Sequence, residues 1–186
     1  MKKIILFTFA GLFLFGCSNS GNKKSTPEQG KQSNIEITND MENASAVIPS
    51  WINEKTVIAM KNPAAHSGEF ASFTNDTSEY AYAYQEQLKN INSSVPKHVI
   101  VDGWIYSTVP NPNVSIIMDL SENYQAYYWK PFPLKDKITE AGKWIEFTAD
   151  FYFDKPLKPE HQIKLYGWNQ SKKPVYFDDL KITFEY

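Results

Sequence analysis

Between residues 144 and 153 the chain reads W-I-E-F-T-A-D-F-Y-F. Ile145, Phe147, Ala149 and Phe151 fall in one register, and Glu146, Thr148 and Asp150 in the other. Strict alternation is the period of a strand with one buried and one wet face; a helix would group its apolar residues three and four apart. The end of the chain repeats the pattern, with Leu180, Ile182, Phe184 and Tyr186 alternating against Lys181, Thr183 and Glu185. Stretches 99–107, 114–120, 124–129 and 163–168 read as strands too. In 78–84 the residues Tyr80, Tyr82 and Tyr84 share a face, expected to be the core side. Trp144, opening its strand, is expected to plug the core. Pro- and Asn-rich clusters at 110–113, 130–133, 155–159 and 169–174 read as turns. A short helix is expected near 86–91. Short strands at this spacing predict an all-β fold, an antiparallel β-sandwich of jelly-roll type.

The first residues are of another kind. Lys2 and Lys3 precede a mostly apolar run, 4–15, that suits a signal segment and is too short to span a bilayer as a helix. It ends in Leu14-Phe15-Gly16-Cys17, which resembles a bacterial lipobox. That resemblance implies a signal peptide at 1–16 and lipidation of Cys17, with membrane attachment through the lipid. Cys17 is the sole cysteine, so no internal disulfide competes for it. Residues 17–38 are rich in Ser, Asn, Gly, Lys and Gln and read as a flexible tether. The remaining 39–186 suit one β-sandwich domain. All 19 basic residues are Lys. Without Lys2 and Lys3, 17 Lys face 21 acids, a net charge of −4. The absence of Arg argues against phosphate clamps and nucleic-acid readout.

Extended backward, the apolar register of the last strand reaches Asp178, an acid aimed at the core, with Asp179 facing solvent. Here the sequence resembles a known family. I-K-L-Y-G-W-N-Q-S-K-K-P-V-Y-F-D-D-L-K-I resembles the last two strands of galactose-binding-domain-like jelly rolls, which include carbohydrate-binding modules and lipoproteins of Bacteroidetes type. Asp40-Met41-Glu42-Asn43 resembles the acidic turn after their first strand. His66-Ser67-Gly68 and Val101-Asp102-Gly103-Trp104-Ile105-Tyr106 resemble two further segments. The resemblance implies a structural calcium ion held by Glu42, Asp178 and carbonyls near 66–68. Calcium takes six to eight oxygens, so such a set suffices. The residues alone leave a second reading open, in which Asp178 accepts backbone N–H groups and binds no metal.

Catalytic signatures are missing. His66, His98 and His161 have no metal-type spacing, and no nucleophile elbow, P-loop or dinucleotide fingerprint occurs. Asp102, Asp119, Glu146 and Asp150 lie on strands whose wet faces carry acids in the ordinary way. The chain is expected not to be an enzyme. Binding suits the aromatic fraction of 15%, because Trp and Tyr favour surfaces half apolar and half wet. Trp51, Tyr127, Trp129 and Trp168 lie near loops and are the candidate ligand-binding aromatics, with Asn169, Asn111 and Asn113 as polar partners. The expected role is a non-catalytic, lipid-anchored glycan-binding module. The alternative is a protein-interaction or structural subunit of an envelope complex. Ser18 after the lipid site points to the outer membrane. The lack of an acidic run after it favours the periplasmic face.

Overall fold

The alternating segments pair into two antiparallel sheets in a computed structural model that describes residues 33–43 and 47–186. The signal segment, Cys17 and most of the expected tether lie outside the described residues. Gln32–Tyr186 is a compact unit of its own. One sheet contains β1 (Ile35–Asn39), β3 (Val57–Ala59), β4 (Phe70–Thr74), β6 (His98–Ser107), β9 (Trp144–Tyr152) and β11 (Val175–Glu185). Its order is β3-β4-β11-β6-β9, with β1 on the C-terminal half of β11. The other sheet contains β2 (Trp51–Ile52), β5 (Ala83–Gln87), β7 (Val114–Glu122), β8 (Gln125–Pro133) and β10 (Gln162–Asn169), in the order β2-β5-β10-β7-β8. One helical turn, α1 (Leu88–Ile91), follows β5.

The alternation dictates the packing. Val99, Val101 and Ile105 of β6, Phe147, Ala149 and Phe151 of β9, and Phe177, Ile182 and Phe184 of β11 point inward. They meet Ile116, Met118 and Leu120 of β7 and Ile163 and Leu165 of β10 in one core. The two sheets meet at Gly167. A Cβ there would lie 2.5 Å from the Phe177 ring, so the ring packs directly on the β10 backbone.

Several expectations are corrected. β1 lies inside the stretch read as tether; only Ile35 and Ile37 mark it, and they gain their meaning by pairing with β11. Pro131 and Pro133, read as a turn, lie in β8, an edge strand where a missing N–H leaves no gap in the ladder. Trp144 points away from the core, and its Nε1 donates to the Ala64 carbonyl at 3.0 Å. Its strand neighbours of opposite parity, Phe147 and Phe151, take the core positions. Tyr80 separates from Tyr82 and Tyr84. Tyr84 pairs with Leu165 but Tyr80 with Trp168, so four steps on one strand match three on the other. The extra residue turns Tyr80 to the outer face.

The same device explains the acid in β11. Val175 and Phe177 are core residues of odd number, whereas Leu180, Ile182 and Phe184 are even. The register against β6 shifts by one between Asp178 and Lys181, and Asp179 takes a left-handed φ of 47°. Asp178, fully buried, sits at this bulge. Its Oδ1 accepts the Asp179 N–H at 2.8 Å, and its Oδ2 accepts the N–H groups of His66 at 2.9 Å and Ser67 at 3.3 Å. Asp179 does not simply face solvent. It accepts the Ser67 hydroxyl at 2.7 Å and lies 2.6 Å from His66 Nδ1.

Candidate functional site

The outer face of the five-stranded sheet gathers the exposed rings. Along β10, Ile163, Leu165, Gly167 and Asn169 point inward, leaving Lys164, Tyr166 and Trp168 outside. Cross-strand register sets Trp168 opposite Ser115, Tyr166 opposite Ile117, and Lys164 opposite Asp119. Asp119 in turn lies opposite Trp129 on β8. Tyr80, turned outward by its bulge, bridges to Trp168. Tyr80 and Trp129 are 51% and 46% exposed.

The four rings form one cluster. Tyr80 and Trp168 are nearly parallel with centroids 6.4 Å apart. Trp129 meets Trp168 edge-on at 5.8 Å, and Tyr166 meets Tyr80 edge-on at 5.7 Å. The indole N–H groups are held: Trp129 Nε1 donates to the Tyr166 hydroxyl at 3.4 Å, and Trp168 Nε1 to the Glu79 carboxylate at 3.3 Å. Beside the cluster lies a cavity of about 340 Å³, lined by Ile52, Asn53, Tyr80, Tyr166, Lys164 and the small side chains of Ala81 and Ala83. Asn53, left-handed at φ 73°, donates from Nδ2 to the Tyr80 carbonyl at 2.8 Å and so braces the wall. Burial raises the Asp119 pKa, with the Lys164 ammonium pulling it back. Burial also raises that of the Tyr166 hydroxyl.

The sequence-derived candidates divide. Trp129 and Trp168 stand in this cluster. Trp51 does not: it is 7% exposed and packs on Tyr82 at 5.2 Å, because the two-residue β2 turns it to the core side. Asn169 is fully buried. It has core parity on β10, and its amide bonds Thr74 Oγ1 and the Lys173 carbonyl while its oxygen holds the Ser171 turn. Tyr127, near the start of β8, turns away from the cluster, its hydroxyl donating to the Pro156 carbonyl at 2.7 Å and its ring against His161 at 4.3 Å. Asn111 and Asn113 belong to the loop before β7; Asn113 reaches Gln170 at 3.4 Å. Tyr80, Tyr166, Lys164 and Asp119 were not picked out. The parity of β10 alone places Lys164 and Tyr166 beside Trp168, so that part was legible.

The two acids of the expected calcium set are both met by amides. Glu42 Oε1 accepts the N–H groups of Glu69 at 2.9 Å and Phe70 at 3.0 Å, and its carboxylate fills the space where a side chain on Gly68 would go. Asp178 accepts three N–H groups, as above. Such bonds are the ones expected where backbone amides hold the acids. The residues present fit the reading in which backbone amides hold the acids.

No protein-family model matches the sequence, and no curated protein does. Solved structures do. The CBM22-1 xylan-binding domain from Paenibacillus barcinonensis Xyn10C is similar at a TM-score of 0.52 with 12% identity, over 80% of this chain and 93% of that one. The CBM22-2 xylan-binding domain of the same protein is similar at a TM-score of 0.50 with 18% identity, over 80% of this chain and 98% of that one. At such identities the likeness is one of fold: this chain is an antiparallel β-sandwich of the jelly-roll type that those two domains share.

Burial lifts the pKa of Asp178 to about 6, with the three amides and the neighbouring Asp179 charge as smaller effects. A carboxyl pKa raised by folding destabilises the folded state once the group ionises. The contribution of Asp178 to stability is therefore full below about pH 4 and is lost as pH rises through about 6, by about 3 kcal/mol at most. Asp178→Asn removes the ionisation and costs about 1–3 kcal/mol by opposing an amide to the Asp179 N–H. In urea unfolding, the stability gap between the native chain and this variant is expected to shrink from pH 4 to pH 7. A gap that widens would mean that the carboxylate is held ionised, as a bound cation would hold it.

Proposed function

We propose that this chain is a lipid-anchored protein of the bacterial outer membrane, whose sandwich domain binds glycan chains without catalysis of its own. The observation that carries the reading is the cluster of Tyr80, Trp129, Tyr166 and Trp168 on one open sheet face. A sugar ring presents an apolar C–H face that stacks on Trp or Tyr, and a rim of hydroxyls that needs donors and acceptors. Lys164 and Asp119, in register beside the rings, supply both. The fixed indoles lose little side-chain freedom on binding, which lowers the entropic cost of capture. The cavity between β2 and β10 has room for a sugar unit and polar groups at its margin. Fold likeness to xylan-binding domains supports the class of ligand by analogy. The lipid anchor rests on Leu14-Phe15-Gly16-Cys17.

Affinity electrophoresis through gels of xylan, galactan, mixed-linkage glucan and mannan tests the glycan reading. Retardation in at least one polysaccharide is expected. Trp129→Ala and Trp168→Ala should each weaken it about tenfold, the equivalent of roughly 1.4 kcal/mol. No retardation in any gel, or retardation that both variants keep in full, would sink the assignment. The anchor is tested separately by metabolic labelling with an alkyne fatty acid in a bacterial host. Label should enter the native chain, follow the outer-membrane fraction, and vanish in Cys17→Ser; label retained by that variant would contradict it.

A further inference from the structure

We propose that the end of the domain where the chain enters is a seat for a lipid bilayer surface, with Tyr124 as its inserting side chain. This rests on the reading that the chain is membrane-anchored from its N-terminal side. Ile35 pairs with Phe184, one residue from the row in which Glu185, His98 and Tyr152 lie side by side. The β7–β8 hairpin tip belongs to the same end. Lys130 Nζ donates to the Tyr152 carbonyl at 3.2 Å, and Tyr127 bonds Pro156, four residues beyond Tyr152. An anchor on the N-terminal side of Ile35 therefore joins the domain at the end that carries Tyr124 and Tyr152.

The side chains at this end suit a headgroup layer. Tyr124 is fully exposed and Tyr152 is 62% exposed. Tyr124 occupies a left-handed position, φ 63°, in the two-residue turn Asn123-Tyr124. Glycine is the unstrained choice there, and a bulky residue costs of order 1–2 kcal/mol. Folding alone gives no return for that strain, since the ring touches nothing. Lys155 lies over the rings of Tyr127 and Tyr128 at 5.6 and 5.7 Å. Amphipathic rings flanked by long-stemmed ammonium groups are the composition that settles at a membrane–water boundary, rings at headgroup depth and charges snorkelling outward. Of the acids at this end, Glu122 is paired with Lys158, and Asp150 and Glu185 both lie against His98. The ring cluster of the five-stranded sheet sits toward the other end of its strands, so a seated domain would keep that face clear.

The test uses residues 32–186, a unit with its own core and no native cysteine. A hexahistidine tag ahead of Gln32 holds it on phosphatidylethanolamine–phosphatidylglycerol vesicles containing a nickel-chelating lipid, so the outcome is independent of lipidation at Cys17. An environment-sensitive dye is placed at Tyr124→Cys or, as the far-end control, at the exposed Lys143→Cys. On tethering, dye emission at position 124 is expected to shift to the blue and be quenched by brominated lipid, while position 143 is unchanged. A native chain with unlabelled Tyr124, compared with Tyr124→Ser, should also show slower release from the vesicles by imidazole. No shift at 124, or equal shifts at both positions, overturns the proposal.

Discussion

A fully buried acid sits where β11 changes the parity of its core-facing side chains. Asp178 takes the N–H groups of Asp179, His66 and Ser67, three half-buried donors. The rest of the six-stranded sheet depends on this splice. Before it, β11 pairs with β4; after it, with β1; and β6 runs alongside both halves. One acid thus ties the last strand to the 66–68 loop at the point where its partner changes from β4 to β1. A strand without the bulge would turn either Phe177 or Ile182 and Phe184 to solvent.

The core built on that splice shapes the outer face of the opposite sheet. Phe177, the last odd-numbered core residue before the bulge, packs on Gly167. Gly167 lies between Tyr166 and Trp168, so the inward contact fixes the strand that displays both rings. The second bulge, at 80–84, adds Tyr80 to them. The edge strand β8, which tolerates its two prolines, adds Trp129. Four rings from three separate segments therefore converge through strand parity and two one-residue insertions.

That origin explains what was legible in the sequence. Alternation at 99–107, 114–120 and 144–153 marked the long strands; the parity carried back from Leu180 to Asp178 crosses the bulge, and Asp178, opposite Trp104, is buried by the His66–Ser67 loop instead of by the core. Trp129 and Trp168 stand out in the sequence because each lies just before a turn-like cluster, although Trp129 is mid-strand in β8. Tyr80 was missed because a bulge leaves no periodic signal in the bulged strand; it appears only in the partner's register. Trp51 and Asn169 were misplaced for the opposite reason. Their turn-like surroundings suggested exposure, whereas one sits on a two-residue strand and the other keeps the core parity of β10. Short strands such as β1 to β4 have too few residues for alternation to show, and long-range pairing defines them.

The central claim is that the outer face of the five-stranded sheet is where a glycan binds. Amide chemical-shift mapping by NMR, during titration of the domain with an oligosaccharide of whichever polysaccharide retains it, tests that most directly. The expected perturbations centre on Tyr80, Trp129, Lys164, Tyr166 and Trp168, with the outer face of β6 and β9 unmoved. Perturbations centred on Trp104, Tyr106 and Trp144 of the other sheet, with the β10 rings unchanged, would contradict the account.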